Sequence, residues 1–154
     1  MAGAPPIEDL EYLLSATALA ADPRPGTRPL DATSLDVLGI ELLVVTPERV
    51  VARMPGDIAA RPGTMLVLAE SAASTAAGTR VGPDRRAFGA ELNAATLGQP
   101  TTSGPVIADA RALRVDDSLH TWSITVIDDA GVRLLEARCT LGIVDAPTPK
   151  PIPA

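Results

Sequence analysis

Between Val132 and Val144 apolar and polar side chains alternate residue by residue. Leu135, Ala137, Cys139, Leu141 and Ile143 fall on one side, and Glu136, Arg138 and Thr140 on the other. A period of two with one apolar face predicts a strand in an antiparallel sheet covered on one side. Three more strand-like runs precede it, Ala87 to Leu97, Val106 to Val115 and His120 to Ile127, and "DDAG" at 128–131 joins the third to the last as a hairpin turn. Further upstream, 35–46 and 49–54 are short, β-branched and joined at Pro47-Glu48, which predicts another hairpin. Helical signals occur twice. Ile7 to Ala21 carries Leu and Ala at helical spacing, as an amphipathic helix does, and Thr64 to Thr79 is a long stretch of Ala, Leu and Ser with Thr64 as its expected N-cap. Pro and Gly mark the breaks at 21–34, 55–63 and 81–86.

The order is helix, two strands, a long apolar helix, then about four strands. One apolar helix against a curved antiparallel sheet is the economical way to bury such a set, an α+β arrangement. The expected organisation is an N-terminal helix and loop at 1–34, one sheet-and-helix domain at 35–144, and a proline-rich tail at 145–154.

Composition narrows the chemistry. Aromatics are only 2% of the 154 residues, so the core must be aliphatic and Ala-rich, with backbones approaching closely. The net charge of -6 and the absence of a basic stripe argue against nucleic acid as partner. A single cysteine, Cys139, excludes an intramolecular disulfide, and a single histidine, His120, excludes a zinc site of the usual kind from one chain. No apolar run is long enough to cross a bilayer, and the first helix lacks a basic leader, so the expectation is a cytoplasmic protein with no membrane partner.

Glu70 is the only charged side chain between Thr64 and Thr79, and no Lys or Arg stands three or four residues away to pair with it. Leu66, Val67, Ala73 and Ala77 are its neighbours at helical spacing, and Ser74 lies one turn on. A carboxylate on a buried surface must find donors or shift its pKa, and desolvated carboxylates serve as general bases near neutral pH. The competing structural reading is a Glu that reaches solvent past alanines or caps a backbone group.

The series "LGIELL", "RVVARMP", "LVLAESAASTAA", "GAELNAATL" and "EARCTLGIV" resembles the hotdog-fold acyl-CoA thioesterases, in particular the branch with the phenylacetate-degradation and 4-hydroxybenzoyl-CoA thioesterases. The resemblance spans about residues 35–144, and "LAESAAS" is its most specific part. It implies a hotdog fold, with the sheet wrapped around the central helix; the helix read at Ile7 to Ala21 is then an extra one at the N-terminus. It also implies subunits joined edge to edge as a homodimer or homotetramer, with active sites between them. Glu70 takes the position of the catalytic acid, and Ser74 that of an assisting hydroxyl. The substrate would be an acyl-CoA, with coenzyme A part of the substrate and no metal or other cofactor.

The sequence departs from that family at the start of the central helix. The usual His-Gly-Gly reads Arg61-Pro62-Gly63 here, and proline has no N–H to offer the thioester carbonyl. Gly63 or Thr64 would have to supply the donor. This departure favours an alternative reading, a non-catalytic hotdog protein that binds an acyl-CoA or hydrophobic small molecule. Asn93 is a candidate pocket residue, against the plainer reading of a strand Asn satisfying local backbone. Arg85 and Arg86, with Arg80, are candidates for the coenzyme A phosphates, against the plainer reading of a solvated loop. A dehydratase would require His120 to reach the pocket, and Cys139 reads as core.

Overall fold

The computed structural model describes residues 10–15 and 34–147. Most of the expected 7–21 helix, nearly all of the 21–34 loop and residues 148–154 lie outside them; of the helix, α1 (Leu10–Ser15) is described.

The apolar run at 35–46 contains two elements rather than one strand. Its first part is a short helix, α2 (Ser34–Leu38), and only Glu41–Val45 is strand β1. The reason is Gly39, with φ of 61°, a left-handed conformation that glycine adopts at no steric cost. Ile40 N–H donates to Leu35 O at 2.8 Å and Gly39 N–H to Asp36 O at 3.4 Å, which closes the helix in a Schellman motif. Strand β2 (Arg49–Met54) then returns against β1 through the predicted turn, where Thr46 N–H donates to Arg49 O and Arg49 N–H to Thr46 Oγ1.

The expected break at 55–63 also contains a helical turn, α3 (Gly56–Ala59), and the long helix α4 (Pro62–Val81) starts earlier than expected. Its N-cap is Arg61, in extended conformation and without a side-chain cap bond, and Pro62 fills the first helical position, where its fixed φ fits. Thr64 therefore lies inside the first turn, its hydroxyl 2.7 Å from both Ile58 O and Arg61 O.

Four long strands complete the sheet: β3 (Arg85–Thr96), β4 (Val106–Val115), β5 (Leu119–Asp128) and β6 (Arg133–Asp145). All pairings are antiparallel and the order is β1-β2-β4-β5-β6-β3. Strand β3 thus bypasses its sequence neighbour β4 and pairs with β6, which leaves it at one edge. Helix α4 packs against all six strands. Its buried residues, among them Met65, Leu68, Ala69, Ala72, Ala73, Ala76 and Ala77, surround most of its circumference, as expected of a helix wrapped by a sheet. The small side chains leave room for Trp122, which is fully buried in the same cluster. The alternation read in the last strand holds, with Leu135, Ala137, Cys139, Leu141 and Ile143 all buried. Chain and sheet form the hotdog fold, a long helix held in the concave side of an antiparallel sheet.

The convex side carries its own small cluster. Leu13 of α1 is fully buried there with Leu43, Val51, Ile107 and Ile127. Nearby, the β5–β6 turn is organised by Asp128, which is fully buried and accepts from Thr101 N–H, Thr101 Oγ1, Ala130 N–H and Val132 N–H. Burial pushes the Asp128 carboxyl upward, but these donors outweigh it and hold the group below its ordinary value of 3.8.

Two stability outcomes follow from this packing. Leu13→Ala is expected to cost about 2–5 kcal/mol in urea unfolding, because a filled site becomes a cavity. Asp128→Asn is expected to cost about 1–3 kcal/mol at neutral pH. A depressed carboxyl contributes above its unfolded value and loses that contribution as pH falls through the folded one, so the gap between Asp128→Asn and wild type should close below about pH 4. Unfolding curves across that range check the sign.

Candidate active site

Glu70 sits midway along α4, on the side that faces the edge strand β3. It is half-buried, and Ser74, one turn on, donates its hydroxyl to Glu70 Oε1 at 2.5 Å. Charge-assisted O–H···O bonds of that length hold a carboxylate in one rotamer and leave its second oxygen free. Among the described residues no Lys or Arg forms an ion pair with Glu70.

A cavity of about 320 Å³ opens over this carboxylate, lined by Glu70, Gly89, Ala90, Glu91, Leu92 and Cys139. Its wall is the stretch of β3 where pairing with β6 slips between Gly89 and Glu91, a bulge with Ala90 as the extra residue. A Cβ at Gly89 would stand 3.5 Å from Glu70 Oε1, ordinary contact distance, so the strand backbone passes close beside the acid. Sequence reasoning did not single out Gly89, Ala90, Glu91 or Leu92. The available signal was a glycine inside a strand pattern, which marks a bulge or a close backbone approach. Cys139 was read as core, and it is buried, but it also forms part of the cavity wall. Burial, with a smaller contribution from the Glu70 charge, pushes its thiol up to about 11.

The start of α4 is a separate place. Gly63 and Thr64 lie there, seven and six residues before Glu70, with Gly63 exposed. Pro62 has no N–H, and Thr64 N–H is engaged by Arg61 O at 3.0 Å. Among the described residues this leaves Gly63 as the unpaired N–H of the first turn. Seven residues of α-helix span about 10 Å, so Gly63 and Glu70 of one chain are too far apart to touch one carbonyl group.

The remaining sequence candidates are scattered. Asn93 is exposed and in register with Arg138, so it shares the convex face of the sheet and not the face of Leu92 and Cys139. Arg85 and Arg86 point to opposite faces by the same alternation. Arg85 lines a second cavity of about 330 Å³ at the far end of α4, with Arg80, Val81, Val115, Asp116, Asp117 and His120. Its guanidinium donates to Asp117 O at 2.5 Å. His120 is buried, and desolvation first, then the Arg80 charge, push its pKa down and favour the neutral ring, against the opposing pull of Asp116. Ten residues of helix, about 15 Å, separate Arg80 from Glu70, so His120 is remote from the acid within one chain. Among the described residues no group of His, Cys, Asp and Glu is arranged to hold a metal.

A long helix held in a curved antiparallel sheet is the framework of the hotdog fold. No protein-family model matches the chain. It is 34% identical over 148 residues to an esterase candidate from Deinococcus radiodurans, covering 91% of this chain and 92% of that one. It is 37% identical over 81 residues to the 1,4-dihydroxy-2-naphthoyl-CoA hydrolase of Listeria monocytogenes, a match over 53% of this chain that spans only 65% of the hydrolase. A crystal structure of a mutant thioesterase from Pseudomonas aeruginosa, 33% identical, superposes with a TM-score of 0.67 over 73% of this chain and 86% of its own. The chain belongs to the hotdog-fold thioesterase family, a family of thioester hydrolases.

One consequence concerns assays that detect free thiol. With its thiol buried and held near 11, Cys139 should react with an aromatic disulfide reagent at pH 8 only after denaturation. The native protein is expected to give no absorbance burst, and one equivalent should appear on adding guanidinium.

Proposed function

We propose that the chain hydrolyses an acyl-CoA thioester with Glu70 as its general base. The observation that carries this reading is the Ser74–Glu70 hydrogen bond at the floor of the β3-edge cavity. In the proposed step the free oxygen of Glu70 takes a proton from water while the water oxygen attacks the thioester carbon. The carbonyl oxygen becomes an oxyanion, held by the N–H of Gly63. Collapse breaks the C–S bond, and the proton held by Glu70 passes to the departing coenzyme A sulfur. The alternative use of Glu70, direct attack to form an anhydride that water then cleaves, needs the same residues.

The distance of about 10 Å between Gly63 and Glu70 supports a site completed by a second copy, Gly63 coming from one chain and Glu70 from the other. The edge strand β3 supports the same arrangement. It is twelve residues long and mostly exposed, a row of unpaired backbone groups beside the Glu70 cavity. Arg85, in its cavity with Arg80, is the better placed of the two candidate arginines for a coenzyme A phosphate; Arg86 lies on the other face. The Listeria hydrolase supports an aromatic acyl-CoA as the first substrate to try. A second reading, binding without turnover, draws on Pro62, since loss of one oxyanion donor costs about 100- to 1000-fold in rate.

Steady-state release of coenzyme A from aromatic and aliphatic acyl-CoAs separates the two. Glu70→Gln is expected to lower kcat by about 100-fold or more. Ser74→Ala should lower it by about 5- to 10-fold, the value of one hydrogen bond. Wild-type protein that binds acyl-CoA by calorimetry yet releases no coenzyme A above background would establish the binding reading instead.

A further inference from the structure

The proposed mechanism leaves a single N–H, that of Gly63, to hold the oxyanion, and the residues that locate it are unusual. The loop at 97–105 between β3 and β4 is tied at both ends of its course. Leu97 N–H and Gly98 N–H donate to Leu134 O at 2.8 and 3.3 Å. Thr101 then presents both its N–H, at 3.0 Å, and its hydroxyl, at 2.5 Å, to Asp128 Oδ2. Thr102 Oγ1 donates to Asp129 Oδ1 and receives Gly104 N–H at 3.2 Å. Asp128 spends its other oxygen on Ala130 N–H and Val132 N–H, so the clamp is anchored in the β5–β6 turn.

Beyond the clamp the loop touches α3 backbone to backbone. A Cβ on Gly56 would collide with the carbonyl oxygens of Gly104 and Ser103, and a Cβ on Gly104 would collide with the Asp129 carboxylate. Three segments are therefore stacked closely: the Asp129 carboxylate packs on Gly104, and the Ser103–Gly104 backbone packs on the start of α3. From α3 the path to α4 is short. Ala60 N–H donates to Gly56 O at 3.0 Å, Arg61 N–H to Ile58 O at 3.2 Å, and Thr64 Oγ1 to the same Ile58 O at 2.7 Å. Gly63 lies between the two residues that Ile58 O holds.

We propose that the Asp128–Thr101 clamp sets the position of the Gly63 N–H, making Thr101 and Asp128 positioning residues for thioester hydrolysis. The inference rests on the reading of Gly63 as the carbonyl donor. Where several donors share an oxyanion, small errors in one are absorbed by the others. A single donor has no such margin, and a misplacement of about 1 Å can cost up to about 100-fold in rate.

Thr101 is exposed, so its hydroxyl can be removed without opening the core. Thr101→Val keeps size and the backbone N–H but loses the hydroxyl donor to Asp128. At a temperature well below its unfolding midpoint, it is expected to lower kcat about 10-fold with KM within about twofold of wild type, and Thr101→Ser is expected to restore it. Gly63→Pro, tolerated in a first helical turn, removes the donor itself and is expected to lower kcat about 100-fold or more. A loss in Gly63→Pro with wild-type kcat in Thr101→Val overturns the positioning role and leaves the donor standing. Wild-type kcat in Gly63→Pro overturns both. A readout without substrate is the amide NMR signal of Gly63, which should shift in Thr101→Val, return in Thr101→Ser and stay put in the control Thr79→Val. An unmoved signal in Thr101→Val also overturns the proposal.

Discussion

The need to bury α4 governs this chain. With apolar or small residues around most of its circumference, the helix has no side that water stabilises, and one flat sheet would cover only part of it. The sheet coils around it instead, with all six strands in contact. Alanines at 69, 72, 73, 76 and 77 allow the strands to come close, and their small volume is matched by Trp122 from β5. In such a setting one carboxylate is conspicuous. Glu70 persists because it stands where the wrapping ends, between the helix and the last strand, with a serine hydroxyl one turn away.

The strand that closes the wrap is also its opening. Strand β3 pairs with β6 and not with its sequence neighbour β4, and its bulge at Gly89–Glu91 interrupts the pairing beside Glu70. The glycine and the extra residue of the bulge line the cavity there. Strand β3 is an edge, and in the proposed shared site a second copy would meet the cavity there. The same edge therefore links the fold to the proposed shared site.

Pro62 makes the helix start a mixed blessing. It pre-organises the first turn, and at the same time it deletes a donor that an oxyanion would use. Thr64 cannot replace it, since its N–H and hydroxyl are both committed to the turn. In the proposed mechanism demand falls on Gly63, and the stack of Gly56, Gly104 and the Asp129 carboxylate becomes more than loop packing. The buried carboxylate of Asp128 ties the 97–105 loop to the β5–β6 turn, and under the proposal it would join mechanism to stability there.

Much of this was open to reading in the sequence. Local rules suffice for the period-two strands, the 128–131 turn and the long Ala-rich helix, because each is set by residues close in the chain. Glu70 and Ser74 were also legible, since one helical turn brings them together whatever surrounds them. Local rules failed where a single glycine decided the path, as at Gly39, which ends α2 inside an apolar run that looks like one strand. They failed again at Arg61, where a proline moved the cap forward. The order of the strands, the faces of Asn93, Arg85 and Arg86, the Gly89 approach and the Asp128 clamp were decided only by tertiary structure. Each depends on which distant segments pair and in what register, and a slip of one residue at the β3 bulge changes the face of every side chain beyond it. The sequence by itself determined most of the elements and the acid on the central helix; long-range pairing decided what that acid would face.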